Sequence, residues 1–420
     1  MKLTKARNIK KALKYFDPQK PLWDWRELLS FYVPRNGNHL DEMQRIFLSA
    51  SDFPKLLFSG PPGCGKATEL AKLRESLMTK FHVVLISAKQ MTNNFEVAPE
   101  IVLGTILRHI GDVVKKKNEK FFKQEIEPLI NRTLGWETKI ADVDPAARKL
   151  DFSSFEKHEK GEASFRGEFK LVSKTIGRPT ANEVIIAINK ASEELASRRL
   201  LIFSGKKVLL LMADMDKLEF ESARNIFIKS FLHFIKIDCC AVFTLPLAIK
   251  YDPDFVRMYR NFSGIYYLQN YQTYNREGDI NHQDRQKLSE VIYNRLHRDI
   301  IYPEVVDRVI RLSGGILFEL INIIRHCCII ALREKINYID AEVLDEAIER
   351  IRSNYRIALN ESDIKNLRLI HQQKTFSDTT SLTRLLNQYS ITEYGSGDNA
   401  WYDVNPVLLP VLTKYEIAEE

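Results

Sequence analysis

The sequence predicts an α/β protein: a mostly parallel sheet with flanking helices, then a helical unit and a small C-terminal domain. Three observations predict it. Short apolar runs at KLLFSG (55–60), HVVLISAKQM (82–91), KKVLLLMADMDKL (206–218) and CCAVFTLP (239–246) alternate with helical stretches, as parallel strands do. A glycine-rich stretch, GPPGCGKATEL (60–70), joins the first strand to a helix. From 284 to 353 the apolar residues keep a helical period throughout.

The elements follow in order. Residues 7–16 predict a short amphipathic helix that ends at Asp17-Pro18. FDPQKPLWDW (16–25), rich in proline and aromatics, reads as an ordered lead-in draped over a core. LDEMQRIFLSA (40–50) has helical spacing. After the first strand and its glycine-rich loop, TELAKLRESLMTKF (68–81) is helix-like and 82–91 is a second strand. Residues 100–117 predict a helix ending in the charge run VVKKKNEK. From about 118 to 182 the chain is polar with no clean period and reads as an insertion on the core. Helical pattern resumes at 181–198, and the next strand runs to Met212 with acids behind it. A helix at 221–235 leads to the strand 239–246. QKLSEVIYNRL, PEVVDRVIRLS, GILFELINIIRHCCIIAL and AEVLDEAIERI make a small bundle. Short helices at 361–371 and 378–388 precede ITEYGSGDNAWYDVNP, a hairpin with Gly395 to Asn399 at its tip. The expected domains are 1–45, 46–275 with the insertion at about 118–182, 276–355 and 356–420.

Composition narrows the classes. The chain has 420 residues, 45% hydrophobic and 28% charged, and no apolar run reaches the roughly 18 residues of a membrane span. MKLTKARNIKKALKYF is basic without an apolar stretch, so it does not read as a secretory leader. Cys64, Cys239, Cys240, Cys327 and Cys328 include two adjacent pairs and have no metal-ligand spacing, which predicts reduced thiols in a cytoplasmic protein. The net charge of +7 is unevenly placed, with +6 on residues 1–20 and −3 on 356–420. The basic N-terminus suits a nucleic acid or acidic partner, and equally a solvated helix face. Lys115, Lys116 and Lys117 present the same choice.

The chemistry centres on the glycine-rich loop. The phosphate-binding pattern is G-x-x-x-x-G-K-[ST], whose final hydroxyl ligates magnesium. Here Ala67 follows Lys66, and the hydroxyl comes one place late, at Thr68. The loop Gly60, Pro61, Pro62, Gly63, Cys64 and Gly65 would cradle phosphates through the backbone N–H groups of its non-proline residues and of the following helix N-terminus, with Gly60, Gly63 and Gly65 allowing the close approach, Lys66 on the terminal phosphates and Thr68 on an inner one. The strand–loop–helix–strand context is the one such a loop requires. Acids at a neighbouring strand tip would complete the site. With the strand ending at Met212, the magnesium position falls on Ala213 and the water-activating position on Asp214, with Asp216 two residues on. If the strand runs one residue longer, Asp214 takes the magnesium position. Thr244 is placed to touch a terminal phosphate, or to be a satisfied strand-end hydroxyl. Arg257 and Arg260 are candidate arginine fingers for a neighbouring subunit, or surface arginines. His233, His297 and His326 read as packing or surface residues, and no nucleophilic triad stands out.

FDPQKPL, LLFSGPPGCGKATELAKL, KKVLLLMADMDKL, AVFTLP, SGGILFELINIIRHCCIIAL and WYDVNPVL, which span most of the chain outside 118–182, resemble bacterial P-loop ATPases of the AAA+/STAND group. Many such proteins belong to mobile-element and antiphage systems. The resemblance implies a P-loop NTPase core, an α-helical lid and a C-terminal winged-helix domain, with ATP or ADP as ligand. It also implies assembly as a homo-oligomer or with an effector protein. The departures lie in one layer. Ala67 stands where the family has Ser or Thr, Ala213-Asp214-Met215-Asp216 replaces an acidic pair, and Phe318 replaces a lid arginine that senses the terminal phosphate. Each such loss costs about 3–4 kcal/mol of transition-state stabilisation. The expectation is therefore a degenerate nucleotide-binding scaffold or regulatory subunit, a pseudo-ATPase with weak or absent Mg2+. A slow working ATPase switch and a DNA-binding adaptor are the alternatives. Arg384, on the candidate recognition helix, is the base that would face DNA, while the acidic balance of 356–420 argues for a packing or partner role.

Overall fold

The computed structural model describes residues 2–91, 97–134, 179–197, 205–376 and 378–416. The chain forms two compact units, Met1–Ala98 with Leu195–Glu420, and Pro99–Glu194.

The first unit is built on five parallel strands, β1 (Lys55–Ser59), β2 (His82–Ser87), β3 (Val208–Ala213), β4 (Cys240–Leu245) and β5 (Gly264–Tyr267), in the order β2-β3-β4-β1-β5. β1, β3 and β4 are buried along their whole length, which is why they read as unbroken apolar runs. β1 pairs with β4 from Lys55↔Ala241 to Ser59↔Leu245, and with β5 from Leu56↔Gly264 to Ser59↔Tyr267. The loop leaving Ser59 therefore emerges in the sheet interior, beside the tip of β4. β3 runs one residue past the expected Met212, because Ala213 still pairs with Ser87. β5 was not anticipated: it is four residues long and only partly covered, so its sequence lacks a buried run.

The helices α1 (Ile9–Tyr15), α2 (Trp25–Phe31) and α3 (His39–Ser49) precede β1, and α4 (Lys66–Leu77) follows it. The second unit holds α5 (Pro99–Lys117), α6 (Glu119–Phe121) running through a π turn into α7 (Glu127–Leu134), and α8 (Ala181–Ala196). The start of the expected insertion is thus helical. Phe122, Ile126 and Ile130 are buried four residues apart, a period masked by the charges between them. The rest of that insertion, 135–178, lies outside the described residues.

After β3, α9 (Phe220–Arg224), a π turn and α10 (Phe231–Ile235) lead to β4, and α11 (Phe255–Tyr259) precedes β5. The bundle comprises α12 (His282–Arg295), α13 (Pro303–Leu312), α14 (Leu317–Arg333) and α15 (Ala341–Ile357). Its core includes Leu288, Ile292, Val305, Leu320, Ile324 and Leu344, and α1 adds Ile9 and Ala12 to it. The basic N-terminal residues are therefore carried on a docked helix and the segment before it, with Lys2, Lys5, Arg7, Lys10 and Lys14 exposed.

The C-terminal segment contains α16 (Glu361–Gln373), α17 (Thr379–Asn387), the antiparallel hairpin β6 (Ile391–Tyr394) and β7 (Trp401–Val404), and α18 (Leu409–Glu416). A capping box between Asn360 and Asp363 opens α16. Leu367, Leu385, Ile391, Val404 and Leu408 form its core together with Leu247 from the turn after β4. The hairpin is also tied to the sheet through the fully buried Glu393. Glu393 accepts from Tyr267 at 2.6 Å, Tyr402 at 3.1 Å and Tyr251 at 3.3 Å. Asn270 donates to Thr392 Oγ1 at 2.7 Å, and Tyr394 to the Gly314 carbonyl at 2.5 Å. Among the described residues no helix is long and apolar enough to cross a membrane, and all five cysteines are free and buried.

Candidate functional site

The glycine-rich loop connects Ser59 to Lys66, the first residue of α4. Glycine is required at two of its positions by close approach. Gly60 has φ +154°, and a Cβ there would lie 2.3 Å from the Leu268 carbonyl oxygen. Gly63 has φ +75°, and a Cβ there would meet Phe318, Tyr389 and Ile316 at 2.8–2.9 Å. Cys64 is buried under the loop, its Sγ 3.7 Å from Lys66 Nζ.

Lys66 is 5% exposed, and its ammonium is fully engaged. It donates to the carbonyls of Gly60 at 2.8 Å and Pro61 at 2.9 Å, and pairs with Asp216 at 3.0 Å. Burial pushes its pKa down, but Asp216 and then Cys64 outweigh that and hold it above the ordinary lysine value. The lysine is thus charged and pointed back at the loop. Pro62, Gly63, Gly65, Ala67 and Thr68 line a cavity of ≈ 1250 Å³ beside it. The Thr68 hydroxyl accepts from the Leu22 amide of the lead-in at 3.5 Å, so FDPQKPL does form a wall of this site.

The two acids take different roles. Asp214 stands directly after β3 at φ +60°. Its carboxylate accepts from Ser87 Oγ at 2.5 Å and pairs with Lys217 at 2.6 Å. Burial raises its pKa, but Lys217 and Ser87 prevail and hold it below the usual carboxylate range. Asp216, the later residue, is the one that reaches Lys66. Thr244 is fully buried; its hydroxyl donates to the Met212 carbonyl at 3.0 Å and accepts from the Met215 amide at 2.9 Å. It is the satisfied strand-end hydroxyl, clamping the turn that carries both acids, and does not line the cavity. Arg257 and Arg260 are exposed on and after α11, away from the cavity wall.

Several cavity residues carried no sequence signal. Glu69, on α4, is 3% exposed and accepts from Tyr32 at 3.2 Å, with His39 Nε2 also at 3.2 Å. Burial, and then Glu69, push the Tyr32 phenol well up, so it stays a donor. The Arg35 guanidinium lies 3.8 Å from the centroid of the Tyr271 ring. Arg295 is 6% exposed, bonds the Val291 and Phe31 carbonyls, and pairs with no carboxylate among the described residues. Burial, opposed by Glu27, pulls its pKa down to about 10. Phe318 sits on the loop: its amide donates to the Gly63 carbonyl at 3.1 Å, and its ring stacks on Tyr389 at 4.7 Å. Charged, buried donors around loop amides suit an anionic ligand with an apolar, aromatic body. Among the described residues there is no cluster of three or more metal-ligating side chains.

No family model matches the sequence, and no curated protein matches it. Among solved structures the chain is similar to the Walker-type ATPase of Pyrococcus abyssi, at 13% identity over 95% of this chain and 99% of that one, with a TM-score of 0.50.

The fold is that of a P-loop ATPase.

The chain is also similar to the ORC2 protein of Aeropyrum pernix in its ADPNP–ADP complexes, at 11% identity over 97% and 98% of the two chains, with a TM-score of 0.46. A third similar structure is the RuvB Holliday-junction branch-migration motor of Thermotoga maritima, at 12% identity over 91% and 93%, with a TM-score of 0.40. On this P-loop fold the loop, Lys66, Asp214 and Asp216 lie together at one cavity, and Thr244, Arg257 and Arg260 lie outside it.

Proposed function

We propose that this chain is a degenerate AAA+/STAND-like nucleotide-binding protein, a pseudo-ATPase that serves as an assembly scaffold or regulatory subunit. The observation that carries the reading is the state of Lys66, charged and buried at a cavity wall but held by Asp216 and two loop carbonyls. A phosphate would replace Asp216 on a lysine that is already paid for in desolvation. Turnover is less well served. Ala67 has no oxygen for magnesium, Asp214 is closed in by Ser87 and Lys217, and Phe318 occupies the place of the family's sensing arginine. ATP or ADP is thus the proposed ligand, with Mg2+ weakly held or absent.

A second reading, a slow working ATPase, is favoured by one feature: β3 reaches Ala213, which puts Asp214 first after the strand. The DNA-adaptor reading has less support. Arg384, the candidate base on a winged-helix-like segment, is paired with Asp363. Partnership with further copies or with an effector, a cytoplasmic location and a role in antiphage defence rest on the resemblance and the five free thiols. Arg257 and Arg260 are exposed as trans-acting fingers would need to be.

The experiment is nucleotide content and turnover on one purified sample, beside Lys66→Ala. Bound ADP or ATP lost in Lys66→Ala, without Lys66-dependent phosphate release, supports the proposal. Lys66-dependent release promotes the working ATPase. Neither nucleotide nor release, with no binding of added ATP, sinks both.

A further inference from the structure

The segment after α17 enters the cavity that α4 and the loop define. Tyr389 lines it, stacked on Phe318 with an interplanar angle of 17°, and its Cε1 packs on Gly63. Its neighbour Asn387 lines the cavity too. Packing alone does not account for this tyrosine. A phenylalanine would stack equally well, yet the hydroxyl is present and bonds no protein group among the described residues. The backbone is also in an uncommon state. Tyr389 has φ +57°, a left-handed conformation that bulky side chains avoid. It is the residue that closes the end of α17, the Tyr389 amide donating to the Leu386 carbonyl at 3.1 Å and the Ser390 amide to the Leu385 carbonyl at 3.0 Å, and the side-chain amide of the fully buried Asn405 donates to the Tyr389 carbonyl at 2.9 Å. The end of α17 thus places an unbonded phenol over the glycine-rich loop.

We infer that Tyr389 is a phosphate-reading residue, its hydroxyl donating to an oxygen of a nucleotide seated on the loop, in the layer where Phe318 offers no donor. Two further facts agree. Asp216, which a phosphate would displace from Lys66, acts electrostatically on the Tyr389 phenol. Burial, then Glu319 and Asp216, raise that phenol's pKa, so it is a donor at every working pH. The contact also has a route outward. Tyr389 follows α17, which packs on the turn Leu247–Tyr251, and precedes β6, which carries Glu393, the acceptor of Tyr251, Tyr267 and Tyr402. Nucleotide on the loop would therefore strengthen the hold on α17 and the hairpin.

This inference rests on the nucleotide-binding reading, and the test separates the two. ADP and ATP affinities are measured by calorimetry on the full chain, for wild type, Lys66→Ala and Tyr389→Phe. Hydrogen exchange over residues 378–394 is followed with and without ATP. Tyr389→Phe keeps the ring, the stacking and the backbone. We expect it to bind about tenfold more weakly, the size of one hydrogen bond to a charged group. ATP should slow exchange over 378–394 in wild type and do so less in Tyr389→Phe. Lys66-dependent binding with an unchanged Tyr389→Phe affinity overturns the role of Tyr389 and leaves the nucleotide reading standing. Absent or Lys66-independent binding overturns both.

Discussion

Lys66, Asp216 and Glu319 show how buried charge shapes this site. Asp216 neutralises a lysine that is 5% exposed, so Asp216→Asn leaves a cation without its partner. We expect about 3 kcal/mol of lost stability in the nucleotide-free protein. Added ADP should recover more of it than it adds to wild type, which thermal unfolding with an ADP titration will show. Glu319 lies one residue past Phe318, fully buried, and accepts from the Tyr355 hydroxyl. Its other oxygen, Oε2, has no partner. Burial, opposed by Tyr355 and Asn322, raises its pKa to about 7. The folded protein thus binds this proton more tightly than the unfolded chain does. Stability falls as pH rises from the ordinary carboxylate range through 7, by at most about 3 kcal/mol. Glu319→Gln should raise the melting temperature at pH 8 and lose that advantage near pH 4.5. An equal shift at both pH values would show that the carboxyl does not titrate there. Some residue roles were readable in advance and others were not. The loop from Gly60 to Thr68 announced itself because phosphate chemistry imposes a local spacing. Arg295 and Tyr389 could not be read, because each reaches the cavity through contacts far away in the chain.

The elements were legible where burial writes a period. β1, β3 and β4 are covered on both faces, and their sequences show it. The end of β3 was misplaced by one residue because a small alanine between the apolar run and the acids leaves the boundary open in the sequence; pairing with Ser87 decides the matter. β5 was missed because an edge strand of four residues leaves no apolar run. α2 was hidden by the prolines and tryptophans around it, although Asp24 caps it through the amides of Arg26 and Glu27. β3 is the element whose core contribution is plainest. Leu211→Ala, at a fully buried position between β2 and β4, should cost about 2–5 kcal/mol in denaturant unfolding. Gly60→Ala belongs beside it. A Cβ against the Leu268 carbonyl forces backbone to move, and we expect about 3 kcal/mol of destabilisation together with loss of ATP binding.

At the scale of the whole molecule, the loops at the ends of β1 and β3, the bundle and the end of α17 in the first unit share one cavity. Glu393 is the joint between sheet and hairpin, with Tyr251, Tyr267 and Tyr402 on its two oxygens. Glu393→Ala leaves the Tyr267 hydroxyl without its acceptor and the Tyr251–Tyr402 hydroxyl pair without its carboxylate. We expect about 3 kcal/mol of lost stability, and limited proteolysis to cut first within 374–400. Cleavage elsewhere would mean that the hairpin is held by its apolar contacts instead.

The strand order has a consequence for how this protein is made. β1 leaves the ribosome early, but both of its partners, β4 and β5, come from residues 240–267. At roughly 5–20 residues per second, the nascent β1 waits some ten to forty seconds for an edge to join. During that interval LLFSG is an exposed, uncharged apolar segment. The glycine-rich loop is therefore among the last parts of the sheet to be seated, and a newborn chain carries β1 unpaired until then.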